Sequence, residues 1–142
     1  MLVQYFEFLL LAKNQTDRVY SISFYNMVII EFKELSMAVS ITKDNFNQEI
    51  EESTMPIVMD VFASWCGPCQ QMAPHFEALE KELKDIYKFV KLNVDEARDI
   101  SIKYGVTSVP TFIFIQNNQI KGKVTGYMSK NDLKARIEEY LG

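Results

Sequence analysis

The sequence predicts an α/β domain from residue 39 onward, on three observations. Apolar runs of strand length recur at 57–63, 88–94 and 111–115. Stretches with apolar residues three and four apart lie between them. The joints are short and marked by Pro56, Gly105 and the pair Asn117-Asn118. Residues 39–41 make a short first strand. Thr42 is placed to cap a helix through about Ser53, with Phe46 and Ile50 four apart on its inner face. Pro56 ends that joint, and 57–63 is a nearly continuous apolar strand of the kind buried on both faces, interrupted by Asp60. A long helix leaves Gly67 and ends at Leu83, its stripe formed by Met72, Phe76, Leu79 and Leu83. Pro74 lies inside that stripe and is expected to kink the helix by removing one backbone hydrogen bond. Residues 88–94 alternate Phe89, Lys91 and Asn93 against Val90, Leu92 and Val94 as the next strand, and a short helix follows until Gly105 stops it. Residues 111–115 are the fourth strand, Asn117-Asn118 a tight turn, and 119–125 the antiparallel partner. Ser129, three residues before Asp132, opens a last helix along Leu133, Ile137 and Leu141. The expected order is β-α-β-α-β-α-β-β-α, with no internal repeat and no low-complexity segment.

At 142 residues the expectation is one domain with a sizeable core. Net charge is −4 and the fifteen Lys and Arg are scattered, which excludes a basic patch for nucleic acid or an anionic membrane. The chain has two cysteines, both in one motif, so no pair is left for a structural cross-link. That fits a reducing cytoplasm, the expected location, although a periplasmic or organellar redox protein can also carry one active pair. A monomer is expected.

Residues 1–36 are treated apart from the domain at 37–142, because seven of the eighteen aromatic residues fall there and the composition shifts near Met37. A secretory signal needs a basic start, an apolar core of about 7–15 residues and a small-residue cleavage site. The run after Glu7 is too short and no A-x-A follows. No stretch approaches the roughly 18 apolar residues of a membrane span. The expectation is that translation starts at Met37; the other reading is an extra strand or helix docked on the domain.

The run Trp65-Cys66-Gly67-Pro68-Cys69 carries the chemistry. A strand feeds it and a helix leaves it, so two thiols sit on the first helical turn, where they can close into a disulfide and open again. Zinc needs four ligands, and only His75 is available besides. A purely structural disulfide closing so small a loop would constrain little of the unfolded chain. The redox reading alone uses strand, turn and helix start together. Under it Cys66 is the nucleophile, its thiolate favoured by the free amides and dipole of the helix N-terminus. Cys69, one turn further in, is expected to be more buried and to resolve the mixed disulfide by attacking Cys66. Gly67 permits the tight turn, and Pro68 suits a first helical turn because it has no amide hydrogen to leave unpaired.

Asp60 has two readings. In a buried strand its carboxyl is desolvated and its pKa raised, which suits a proton acceptor for Cys69; on a solvent-facing strand it has no such role. Lys91 on the neighbouring strand either tempers that shift or is a solvated strand lysine. Pro110, opening a strand after Val109, marks a turn or a cis peptide; cis would leave the Val109 backbone free to pair with an extended substrate, and trans is the commoner form. Trp65 either shields the sulfurs and contacts substrate or packs ordinarily. His75 reads as a surface residue without catalytic duty.

Together these residues resemble the thioredoxin family over residues 37–142. The specific features are WCGPC, Asp60 six residues before Cys66, Pro74 five after Cys69, SVPT at 108–111 and Gly126 before the last helix. The resemblance implies a thioredoxin fold, a central five-stranded mixed sheet flanked by four helices, here with an extra N-terminal segment. It further implies a cis bond at Pro110 and Asp60 buried beneath the cysteines with Lys91 nearby. Trp65, Gly67, Pro68, Val109, Pro110 and Gly126 would form the substrate-binding surface. No bound cofactor is implied: Cys66 and Cys69 reduce disulfide-containing client proteins, and an NADPH-dependent thioredoxin reductase restores them. Two departures stand out. Gln70-Gln71 occupies a site that is basic in many members, and Thr107 replaces a basic residue found in some. A general protein-disulfide reductase is the first functional expectation. The others are a binding subunit with incidental redox activity and an oxidoreductase dedicated to one client.

Overall fold

In the computed structural model the described residues are 38–142, and the expectations for residues 1–36 lie outside them. The described elements are β1 (Val39–Ser40), α1 (Asn47–Glu51), β2 (Ile57–Phe62), α2 (Gly67–Leu83), β3 (Lys88–Asn93), α3 (Arg98–Lys103), β4 (Thr111–Gln116), β5 (Gln119–Thr125) and α4 (Lys130–Leu141), in the expected order. The strands form one mixed sheet in the order β1-β3-β2-β4-β5. β1 and β2 run parallel to β3, β4 runs antiparallel to β2, and β5 antiparallel to β4. The two long apolar runs become β2 and β4, side by side at the centre of the sheet, where both faces are covered and continuous apolarity is required.

Strand alternation divides the core. Ile57, Met59 and Val61 of β2 join Val90, Leu92, Ile113 and Ile115 on the face covered by α1 and α3. Val58 joins Phe89, Phe112 and Phe114 on the face covered by α2 and α4, which contribute Met72, Phe76 and Leu79, and Leu133, Ile137 and Leu141. By the same alternation Asp60 and Lys91, register partners across β2 and β3, lie on this second face.

The first helix departs from expectation. Instead of an α-helix from Thr42 to Ser53, a single π-helical segment forms, with the Glu52 amide donating to the Asn47 carbonyl five residues back. Thr42 and Asn45 exchange hydrogen bonds ahead of it, the Thr42 amide donating to Asn45 Oδ1 at 2.8 Å and the Asn45 amide to Thr42 Oγ1 at 3.4 Å. These side chains hold a turn where the helix was expected to begin. Phe46 and Ile50 are nevertheless both buried, as their spacing requires. α2 runs unbroken through Pro74. Gly105 adopts φ 62 and closes α3 through its own amide and that of Val106, bonded to Ile102 and Ser101 carbonyls.

The β4–β5 hairpin turns on Asn117 (φ 53) and Asn118 (φ 58), the paired left-handed residues of a two-residue turn matched to strand twist. Ser129 caps α4 as expected, its hydroxyl accepting from the Asp132 amide at 3.1 Å. At Gly122 the Tyr140 ring lies against the backbone while stacking on Phe114, with centroids 5.1 Å apart. A Cβ there would overlap the ring. Gly122→Ala is therefore expected to displace Tyr140 and destabilise the domain by about 1–3 kcal/mol, measured as a lower urea midpoint. An unchanged midpoint would show that the ring moves aside freely.

Candidate active site

The site forms where β2 ends and α2 begins. Cys66 is the N-cap residue of α2, and its Sγ accepts a hydrogen bond from the Cys69 amide at 3.3 Å. Gly67 and Pro68 fill the first turn and are exposed, and proline costs no bond there because these amides have no intrahelical partner. Cys66 and Cys69 are joined as a disulfide with Cα atoms 5.3 Å apart. The pair packs with Ala63, against Phe62, Val94 and Val109. In this oxidised form both cysteines are buried, so the expected difference in their exposure is not present. The Val109 carbonyl oxygen lies 3.8 Å from Cys66 Sγ. The Val109–Pro110 bond is cis, and the Pro110 carbonyl accepts from the Gly126 amide at 2.9 Å. Three segments distant in sequence thus meet at one rim: the motif, the turn before β4 and the turn after β5.

Trp65 stands beside this rim with 72% of its surface exposed, so it is not a packing residue. Its indole N–H donates to Asp95 Oδ2 at 3.0 Å. The Asp95 amide in turn donates to Asn93 Oδ1 at 3.0 Å, fixing the loop after β3. Gln70 has a structural part in the motif: its side-chain amide donates to the Ser64 carbonyl at 2.9 Å, tying the first turn of α2 to the residue before Trp65.

Within β2, Asp60 is 2% exposed and its Oδ1 has no hydrogen-bond partner. Burial raises its pKa from 3.8 to about 7, while the charge of Lys91 works in the opposite direction. The buried reading of Asp60 holds over the solvent-facing one. Lys91 is neither a solvated strand lysine nor directly bonded to Asp60. Its Nζ lies 3.6 Å from Glu77 Oε1 on α2, and 5.8 and 5.9 Å from the ring centres of Phe62 and Phe76. His75 is half-buried rather than a surface residue, its ring 5.8 Å from that of Tyr127. Asp95 and Glu77 carried no signal in the sequence, because each acts on a residue from a different element. Among the described residues no group of three or more His, Cys, Asp or Glu is gathered as metal ligands would be. No described helix is long and apolar enough to cross a membrane.

The family model for thioredoxin matches residues 37–139. The chain belongs to the thioredoxin family. Among its relatives, a thioredoxin of Rickettsia felis is 38% identical over 97 residues, covering 68% of this chain and 92% of that protein. Thioredoxin 1 of Synechococcus elongatus is 34% identical over 107 residues, 75% of this chain and all of that protein. The chloroplastic M-type thioredoxin of Pisum sativum is 34% identical over 117 residues, 82% of this chain and 68% of that protein. The family consists of dithiol–disulfide oxidoreductases, which work with their own cysteine pair and carry no prosthetic group. With that membership and the Cys66–Cys69 disulfide, this chain is an oxidoreductase of the thioredoxin type.

Proposed function

We propose that the protein is a general reductant of protein disulfides, with residues 37–142 as the working unit. The observation that carries this reading is the disulfide seated on the α2 N-terminus with the Val109 carbonyl beside it. In the reduced protein the free amides of that helix stabilise negative charge on Cys66 Sγ. The Cys66 thiolate attacks one sulfur of a client disulfide. A Cys66–client bond forms, and the other client sulfur leaves as a thiolate. Cys69 then gives its proton to the Asp60 carboxylate and attacks Cys66 Sγ, closing the Cys66–Cys69 disulfide and releasing the second client sulfur as a thiolate. Two electrons have passed to the client, whose thiolates take protons from water.

Val109, Pro110, Gly126 and Trp65 hold the client. The free backbone of Val109 offers strand-like pairing to an extended segment, and Trp65, Gly67 and Pro68 supply an exposed surface on either side of Cys66. The oxidised protein is returned to the dithiol by a thioredoxin reductase drawing on NADPH. Its place is the cytoplasm, where it serves electron transfer and redox homeostasis as a monomer. Confinement of both cysteines to the motif supports that location. The M-type relatives of pea and spinach are chloroplastic by name, which makes a plastid the competing location.

Insulin reduction followed by turbidity tests the function. Catalytic amounts of the protein are expected to bring precipitation forward well ahead of dithiothreitol alone. No acceleration over dithiothreitol would overturn the reading.

A further inference from the structure

The ammonium of Lys91 is the charge that acts on Asp60, yet it does not bond to it. β2 and β3 place the two residues opposite each other, Asp60 with Lys91, on the face covered by α2. A lysine side chain is long enough to turn either way along that gap. It turns outward: its ion pair is with Glu77, at 3.6 Å, and its Nζ lies 5.8 and 5.9 Å from the ring centres of Phe62 and Phe76. The Lys91 side chain is 22% exposed and that of Glu77 51%, so the pair sits at the rim of the gap, while Asp60 Oδ1 stays inside without a partner.

We propose that Glu77 is a positioning residue for the exchange chemistry: it holds the Lys91 ammonium at the rim between β3 and α2, away from the buried carboxyl of Asp60. Without that anchor, the uncompensated carboxylate would draw the ammonium inward and become a weaker proton acceptor. The elements packed around Asp60 provide few other charges. Its β4 register partner is Phe112. α2 carries His75, Glu80, Lys81 and Glu82 besides Glu77 and Cys69, and Lys130 and Lys134 of α4 are paired with Glu82. Among these groups Lys91 is the one whose charge registers on Asp60, opposing the effect of burial. Control of Lys91 is therefore control of Asp60.

This inference rests on Asp60 as the proton acceptor for Cys69, and the experiment separates the two claims. The Asp60 carboxyl is titrated by 13C NMR in the reduced protein, its signal assigned by loss in Asp60→Asn. Glu77→Gln is expected to lower the Asp60 midpoint by about 0.5–1 pH unit. Glu77→Asp, which keeps the charge, is expected to restore most of the difference. In a Lys91→Met background Glu77→Gln is expected to move the midpoint little, because the coupling runs through Lys91. The pH profile of insulin reduction should shift in the acid direction with the titration. An unmoved midpoint in Glu77→Gln, or an equal shift with and without Lys91, would overturn the positioning role. A moved midpoint with an unmoved rate profile would overturn its part in the reaction, and if Asp60→Asn left the rate unchanged as well, the proton-acceptor reading itself would fall.

Discussion

Cys66→Ser is expected to reduce insulin no faster than buffer with dithiothreitol, a loss of about 10³-fold or more in catalysed rate. A serine hydroxyl at the same N-cap position would still accept the Cys69 amide bond, so the fold should be preserved. What disappears is the anionic sulfur: a hydroxyl does not ionise near neutral pH, even at a helix N-terminus, and it cannot take over a sulfur–sulfur bond. Cys69→Ser is expected to lose turnover as completely, but by a different route. The first attack still occurs, and the client then remains bonded to Cys66 because no second thiol resolves it. Intact mass after incubation with a disulfide-bearing client should show one covalent client equivalent on Cys69→Ser, removed by reductant, and none on Cys66→Ser. The opposite pattern, with adducts on Cys66→Ser through Cys69, would reverse the assigned roles. The adduct experiment decides this where burial does not, since in the disulfide form the two cysteines are 6% and 4% exposed.

The sequence carried the local half of this site and not the rest. The disulfide was legible because the cysteines are three apart, and one helical turn brings them together whatever the surrounding fold. The order of elements was legible because period and punctuation are local too. The helix type of α1 is not legible for the same reason in reverse: Phe46 and Ile50 are buried in either helix type, and their spacing does not reveal that the Glu52 amide reaches five residues back. Asp60 shows a subtler limit. In a strand apolar on both faces, alternation does not say which neighbours a polar residue meets; burial became decidable only with α2 laid across that face. The remaining contacts join distant segments. Trp65 meets Asp95 across 30 residues, and Val109 meets Cys66 across 43. Such pairs exist only once β2 and β4 lie adjacent and β3 runs parallel on the other side, so no local pattern announces them.

Asp60→Ala is expected to make the protein more stable at pH 8 and slower at its work. In the folded chain the Asp60 carboxyl keeps its proton up to about pH 7, against 3.8 ordinarily. Between those values the native state holds a proton that the unfolded state has released, so unfolding free energy falls as pH rises through that window and stays low above it. The full effect is on the order of 4 kcal/mol. Alanine removes this dependence, at the cost of a small cavity, so urea midpoints for the variant should change less between pH 4.5 and 8 and exceed those of the parent at the upper end. Parallel pH dependences for the two proteins would sink the argument. The rate is expected to fall by on the order of 10- to 100-fold at pH 7, because in the proposed mechanism Cys69 must then lose its proton to water rather than to the Asp60 carboxylate. A buried carboxyl with an unpartnered oxygen is a poor choice for stability alone, since an apolar side chain there would pack beside Phe112 of β4 without the cost of desolvation. Its presence is explained if the same burial that weakens the fold above pH 7 is what matches the carboxyl to a proton transfer near neutral pH.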